Sequence, residues 1–280
     1  MKVTMFASGS TGNSALVQMS GYNILIDCGI PKKNIEENLN KNNLTLSDIN
    51  FLLITHEHMD HIKSFNSLLK YEDIKILISK GTYNSILETN KHKNIKSFEI
   101  MNKRVLTGSI IILNRLEKSI MYHSYQLDNL VIDILPTFHD ASESIGFVIR
   151  NEEQKMVYIT DTGYVHKELF SKINNADLYV LESNHDPVIL MHSQRPYPLK
   201  MRILSNHGHL SNQDSMVVLA HIIGDKTKVV IHAHISLECN LSQIVEMTRK
   251  KVFDEYGIDT SGIEFEIAPA GRGKVHELWK

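Results

Sequence analysis

Cysteine is nearly absent. Cys28 and Cys239 are the two in 280 residues; they lie far apart, form no Cys-x-x-Cys pair, and read as small buried hydrophobes in a protein of a reducing compartment. Long apolar runs are missing too, so no segment has the length needed to cross a membrane. The opening MKVTMFASGS has one Lys and a very short apolar run before Ser-Gly, which predicts a first strand and not a signal peptide. Pro/Gly/Ser-rich linkers, repeats and low-complexity tracts are absent, which predicts one domain over 1–280. Neither charge dominates: 30 Lys and Arg face 32 Asp and Glu, for a formal net charge of −2. No global basic field therefore attracts nucleic acid, and any such contact has to be local. With 42% apolar and 22% charged residues, a soluble cytoplasmic protein is expected.

What is present is an alternation of short, β-branched apolar runs with helix-like stretches, which predicts a mixed α/β fold. The pattern predicts strands over Lys2–Ala7, Ser14–Met19, Asn23–Asp27, Phe51–Ile54, Ile74–Ser79, Leu130–Leu135, Ser144–Arg150, Met156–Ile159, Leu178–Leu181 and Lys228–His232, with a closing strand around Lys274–Leu278. Helices are predicted over Lys32–Lys41, Ile62–Tyr71, Thr82–Thr89, Lys167–Asn174, Asn212–Ile223 and Leu241–Tyr256. Ser211 with Asp214 three residues on resembles a capping box and places a helix start. Lys91–Asp128 is the least patterned region and is read as an insertion or extra hairpin.

One predicted strand runs straight into ligand-type side chains. After Phe51–Ile54 comes Thr55-His56-Glu57-His58-Met59-Asp60-His61. A solvated His-rich turn would also be polar, but the spacing is selective. In an extended segment, side chains at i and i+2 point the same way, so His56 and His58 can close on one ion. A turn after Met59 then brings Asp60 and His61 to a neighbouring point. Imidazole with carboxylate suits Zn²⁺, Mn²⁺ or Fe²⁺ better than Ca²⁺. Asp27, His139, Asp161 and His234 also stand at or just beyond the C-terminal end of a predicted strand, and Asn184 and His185 follow Leu178–Leu181 in the same way. Loops at one sheet edge are where α/β proteins assemble ligand sites.

The order His56-x-His58-x-Asp60-His61, His139, Asp161, His234 is the metallo-β-lactamase pattern HxHxDH…H…D…H. Around it stand FASGSTGNS, LLITHEHMDHI, FHDASESIGFVI, YITDTG, LESNHD, LSNHGHLSNQ, IHAHIS and GRGKVHELW, in that order. Together they resemble the YycJ/WalJ family of metallo-β-lactamase-fold hydrolases over the whole chain except Lys91–Asp128. The resemblance implies an αββα sandwich with two divalent ions, Zn or Mn, with Fe as a further choice. It implies His56, His58 and His139 on the first ion, Asp60, His61 and His234 on the second, and Asp161 bridging. Two ions about 3.5–4 Å apart generate hydroxide near neutral pH and clamp the oxygens of an in-line displacement at phosphorus.

His209-Leu210-Ser211 resembles the His-x-Ser/Thr motif of the ribonuclease Z branch, paired there with a Glu that corresponds to Glu182 in LESN. A departing alkoxide needs a proton, and a His kept partly protonated by a carboxylate can supply it, a step typically worth ~10²–10⁴-fold. A Glu182 that merely pairs within the core is the alternative. The catalytic candidates are Asp60, Glu182 and His209. The substrate-contact candidates are Ser8, Ser10 and Asn13 of SGSTGN, with Asn184, His185 and Ser211. SGSTGN is either a bare turn or a cradle whose N–H groups and hydroxyls hold phosphate. His185 can touch phosphate, orient a metal ligand or pair with Asp186. His207 and His232 read as incidental. Tyr164 departs from the resemblance, since the family commonly has His there; Tyr keeps a hydrogen bond but loses a titratable base. Arg195, Lys200 and Arg202 either line a backbone channel or are ordinary solvated charge.

The expected activity is a metal-dependent phosphodiesterase acting on nucleic acid, a 5′→3′ DNA exonuclease by the family resemblance. The alternatives are a cyclic-nucleotide phosphodiesterase, which the near-neutral charge favours slightly, and a ribonuclease Z-like endoribonuclease. Lactam or thiolester hydrolysis leaves Glu182 and His209 without a task, and a scaffold without turnover is at odds with the intact ligand set. The implied partner is a nucleic acid or nucleotide phosphodiester, with no membrane; a homodimer is left open.

Overall fold

The computed structural model describes residues 1–117 and 119–268. They form two compact units, residues 1–123 with 141–145 and residues 124–140 with 146–268, each built on its own sheet.

The first unit holds β1 (Lys2–Ala7), β2 (Ser14–Met19), β3 (Tyr22–Ile26), α1 (Lys32–Lys41), β4 (Phe51–Ile54), α2 (Met59–Ile62), α3 (Phe65–Leu68), β5 (Lys75–Ser79), α4 (Lys80–Lys93), α5 (Ile95–Leu106) and β6 (Ile110–Leu113). The strands lie in the order β1-β2-β3-β4-β5-β6. β1, β2 and β3 pair antiparallel, whereas β3, β4, β5 and β6 are parallel. All four residues of β4, Phe-Leu-Leu-Ile, are buried, as expected of a parallel strand covered on both faces. Leu16, Leu25, Leu52, Ile76 and Ile110 form one core with Ile35 and Leu39 of α1, Ile86 of α4 and Met101 of α5. Ile35 and Leu39 stand four apart on α1, while Lys32–Glu36 and Lys33–Glu37 ion pairs lie on its outer side.

Two expectations change here. The helix predicted over Ile62–Tyr71 is two short helices, because the Ser64 hydroxyl donates to Ile30 O (2.6 Å) and its N–H to Cys28 O (2.9 Å), which ties the chain down between them. Lys91–Asp128 carries α5 and β6, with β6 pairing in register with β5, and an isolated antiparallel bridge joins Arg115 and Tyr122. α5 escaped the periodicity because its buried face includes Ser97 and Arg104. The Arg104 guanidinium is fully buried; it donates to the carbonyls of Leu69 and Ile74 and to Ser109 Oγ, so its own N–H groups are satisfied inside the core.

The second unit holds β7 (Tyr125–Gln126), β8 (Val131–Pro136), β9 (Ile145–Arg150), β10 (Lys155–Ile159), α6 (Phe170–Ile173), β11 (Leu178–Glu182), α7 (Pro187–His192), α8 (Tyr197–Ile203), α9 (Asn212–Ile222), β12 (Val229–Ala233), α10 (Ser242–Tyr256) and β13 (Glu264–Ile267). Its strand order is β13-β12-β11-β10-β9-β8-β7, with β10 to β13 parallel. Ser211 Oγ accepts from Asp214 N (3.1 Å) and donates to Asp214 Oδ2 (2.6 Å), capping α9 at the predicted start. α10 ends at Gly257, whose φ of 64° is the left-handed cap that glycine adopts without a Cβ penalty. The stretch predicted as a helix from Lys167 is a 3₁₀ turn, Lys167–Leu169, running into α6. α7, α8 and β13 were not predicted; α7 and α8 are short and open on prolines that read as loop signals. The predicted closing strand at Lys274–Leu278 lies outside the described residues. No helix among the described residues is long and apolar enough to cross a membrane.

Candidate metal centre and catalytic residues

In the first unit, the strands deliver a buried hydrogen-bonded set. Asp27 follows β3, is fully buried, and accepts from Thr55 N (2.9 Å), Thr55 Oγ1 (2.8 Å) and His61 Nδ1 (2.7 Å). Burial pushes its carboxyl above the usual range, against the opposing pull of His61 and Thr55. Asp27 is therefore a holder of His61, and not the ligand its placement in the sequence suggested, because both of its oxygens face hydrogen-bond donors. Thr55 Oγ1 also lies 3.1 Å from Nδ1 of both His56 and His61. The His58 ring packs edge-on against His56, with centroids 4.6 Å apart. Asn13 sits inside this set: its N–H donates to Asp60 O (2.7 Å), its Nδ2 lies 3.3 Å from Asp60 Oδ2 and 3.0 Å from His61 Nε2, and its Oδ1 accepts from Gly9 N (2.8 Å). Asn13 thus ties the SGSTGN turn to the ligand-rich segment. A Cβ on Gly29 would stand 1.6 Å from Asp60 O, so only glycine lets the chain pass there. Ser8 is buried beside this turn, and Ser10 is exposed at its tip.

In the second unit, Asp161, Glu182, His209 and His234 bring one ligand atom each to within 4.8 Å of one another. Glu182, the last residue of β11, is fully buried. Its Oε1 accepts from His209 Nδ1 (2.8 Å) and His234 Nδ1 (3.0 Å), and its Oε2 from Thr162 N (2.9 Å) and Leu210 N (3.3 Å). Burial alone would raise its pKa, but the His209 charge and the hydrogen bonds from both imidazoles bring it down to about 2. His139 donates from Nδ1 to Gly208 O (3.0 Å), and burial lowers its pKa. Asp27, Asp161 and His234 all hold positive φ (57°, 53° and 53°), which costs a non-glycine residue roughly 1–3 kcal/mol each. Three such strained residues at three strand ends mark where side-chain aim is selected over backbone comfort.

The donor set fits a metal. Two ligands each about 2.0–2.2 Å from a tetrahedral ion stand roughly 3.3–3.6 Å apart. His234 Nε2 is 3.4 Å from Asp161 Oδ1 and His61 Nε2 is 3.6 Å from Asp60 Oδ2, both in that range, and His139 Nε2 is slightly farther, 3.9 Å from Asp161 Oδ1. These separations exceed those of ordinary hydrogen bonds. In His61, His139 and His234 it is Nδ1 that meets an oxygen, of Asp27, Gly208 and Glu182 respectively, which leaves Nε2 as the nitrogen an ion would take.

Known proteins agree with this chemistry. Residues 22–233 match the beta-lactamase superfamily domain. An exodeoxyribonuclease YycJ of Bacillus anthracis is 31% identical over 94% of this chain and 93% of its own length. The chain belongs to the YycJ/WalJ family of the beta-lactamase superfamily. An exodeoxyribonuclease WalJ of Streptococcus pneumoniae, another YycJ/WalJ protein, is 29% identical over 95% of this chain and 93% of its own length. The metallo-beta-lactamase fold protein YhfI from Bacillus subtilis has the same fold, with a TM-score of 0.66 over 99% of this chain and 98% of that one at 17% identity. The expected fold class is therefore the one found, and the chain is a hydrolase of this superfamily.

The other YycJ/WalJ motif residues take quieter places. Asn184 Nδ2 donates to His234 O (2.8 Å), bracing the strained turn, and Ser211 caps α9. Asp186 caps α7 through Val188 N and Ile189 N (both 2.9 Å), so the His185–Asp186 pairing is not formed. His185 itself is buried, neither ring nitrogen has a hydrogen-bond partner among the described residues, and burial lowers its pKa to about 4. Tyr164 stacks on Phe138, centroids 4.2 Å apart, beside His139. His207 is exposed and His232 is buried on β12, away from these bonds. Thr55 and Thr162, which bind the two carboxylates, were missed; the only sequence signal is that each directly adjoins a motif residue.

Proposed function

We propose that the protein is a two-metal-dependent nuclease, acting on DNA as a 5′→3′ exonuclease. The observation that carries this reading is the sharing of Glu182 Oε1 between His209 and His234, which gives one carboxylate two tasks that phosphodiester cleavage needs together. In this reading His56, His58, Asp60, His61, His139, Asp161 and His234 hold two divalent ions, Zn or Mn, in the ligand order the family resemblance implies. When bound, such ions supply an activated water near neutral pH and positive charge at the phosphoryl oxygens. Asp27, Gly208 O and Glu182 keep Nε2 of His61, His139 and His234 aimed at them. His209 is held at Nδ1 by Glu182, and its ring is partly exposed; its Nε2 donates a proton to the departing alkoxide, while Glu182 stabilises the imidazolium before transfer. Lactam or thiolester hydrolysis has no such need for an acid held by a fully buried carboxylate.

End-labelled single- and double-stranded DNA, RNA and cyclic nucleotides incubated side by side with metal-loaded protein test the reading. A 5′-labelled strand is expected to release label as mononucleotide or short product before the body of the strand shortens. Internal nicking, loss from the 3′ end first, or turnover of cyclic nucleotides alone would replace it with an endonuclease or a small-molecule phosphodiesterase.

A further inference from the structure

The cations that precede His209 in the sequence are engaged in the second unit itself. Arg195 pairs with Glu238 (2.8 Å) and Arg202 with Asp140 (2.5 Å), and Lys200 Nζ donates to Met191 O (2.8 Å) and Ser193 O (2.7 Å). The first unit differs. Beside its ligand-rich segment runs a groove of about 330 Å³, walled by α2 and α3 on one side and α4 on the other. Ile62, Phe65 and Ile86 give it an apolar floor, and Asn66 and Asn90 bridge it through reciprocal amide hydrogen bonds (both 2.9 Å). Lys63 and Lys93 stand exposed in its lining, and neither makes a hydrogen bond or ion pair among the described residues. The neighbouring acid on α4, Glu88, is taken by Lys91 and His92. Glu57 is the one acidic residue of the lining, and its oxygens accept from Ser142 N (2.7 Å) and Thr82 Oγ1 (3.3 Å). At the mouth Met59, 67% exposed, lies directly between His58 and Asp60 in the chain.

We propose that this groove seats the single-stranded polynucleotide next to its cleavage point, with Lys63 and Lys93 on successive stretches of its phosphate backbone and Met59 against a base. The proposal rests on the nuclease reading above and adds the path of the strand to it. Unpaired lysines rimming an apolar floor are the arrangement that tracks a flexible polyanion without reading its sequence. The groove's volume of about 330 Å³ is on the scale of a single nucleotide. A net charge of −2 makes such a local cationic rim necessary for any polyanionic substrate.

The test is binding of the full-length protein to a fluorescein-labelled, cleavage-resistant phosphorothioate oligothymidylate, followed by anisotropy as salt is raised. Each phosphate contact on a single strand contributes about 0.7 to the slope of log affinity against log salt. Lys63→Ala with Lys93→Ala is expected to make that slope shallower by about 1.4, each single variant by about 0.7, and the Lys→Arg pair by nothing. An unchanged slope in the double alanine variant overturns the groove. So does polyglutamate competing as well as unlabelled oligothymidylate of equal charge, which would make it a site for an acidic peptide. The nuclease reading fails separately, if the unmodified protein degrades no polynucleotide at all; degradation with an unmoved slope removes the groove alone.

Discussion

Two buried carboxylates, each at the C-terminal end of a parallel strand, hold histidines in the two units, and they hold them differently. Asp27 meets one imidazole and the hydroxyl and N–H of Thr55, and burial leaves its carboxyl above the usual range. Glu182 meets two imidazoles and two backbone N–H groups, and the His209 charge with the hydrogen bonds of both imidazoles brings it to about 2 despite equally complete burial. The difference shows that desolvation does not decide the state of a buried carboxylate by itself; for Glu182 the charge of His209 and the hydrogen bonds of two imidazoles outweigh it, whereas for Asp27 one imidazole and Thr55 do not. It also separates two uses. Asp27 serves one candidate metal ligand, whereas Glu182 couples a candidate ligand, His234, to the candidate acid, His209.

The largest effect is therefore expected from Glu182→Gln. It weakens both the acid and the support of His234, and a loss of roughly 10³-fold or more in kcat on a natural strand follows from the two contributions. Elemental analysis should show less bound metal as well. Lost metal with a loss of activity independent of the leaving group would reduce Glu182 to the level of Asp27, and full metal content with no more than a tenfold loss would remove both of its tasks.

His209→Ala comes next, with a loss of ~10²–10⁴-fold on a nucleotide ester. The loss should nearly vanish with a nitrophenyl phosphodiester, whose phenolate leaves without a proton, and metal content should stay constant. Equal losses on both esters would make His209 a positioning group and erase the contrast with His61.

Asp27→Asn is expected to cost about 10–100-fold in metal affinity, by chelator competition, with no dependence on the leaving group. A leaving-group dependence there would mean that Asp27 also reaches proton transfer.

The smallest effect sharpens the comparison from outside it. His232 and His185 are buried imidazoles without a hydrogen-bond partner among the described residues, and burial lowers their pKa from 6.5 to about 3 and about 4. Their folded values lie below their unfolded ones, so the unfolded chain binds more protons in that window. Stability is then fullest above about pH 6.5 and is lost as pH falls toward 4 and 3. His232→Leu should flatten the fall of Tm between pH 6.5 and 4, measured by calorimetry. An unchanged fall would place the acid sensitivity in other groups.

Much of the fold was legible. β1, β2, β4 and α1 match their predicted bounds, since period-two and period-3.6 patterns are written among near neighbours. α5 was hidden by a buried arginine, and α7 and α8 by their prolines. The ligand-type residues were equally visible, because each sits just past a readable strand. By itself the sequence determined which residue types stand at which strand ends, and with them the hydrolase family. Only the tertiary structure decided what each one does: that Asp27 holds His61, that Asn13, Asn184 and Ser211 brace backbone, that Lys63 and Lys93 stay unengaged while Arg195, Lys200 and Arg202 do not. The hydrogen bonds responsible join residues 27, 34 and 52 positions apart, for His209–Glu182, His61–Asp27 and His234–Glu182. Periodicity does not reach that far; strand pairing and backbone strain at Asp27 and His234 bring those atoms within bonding distance.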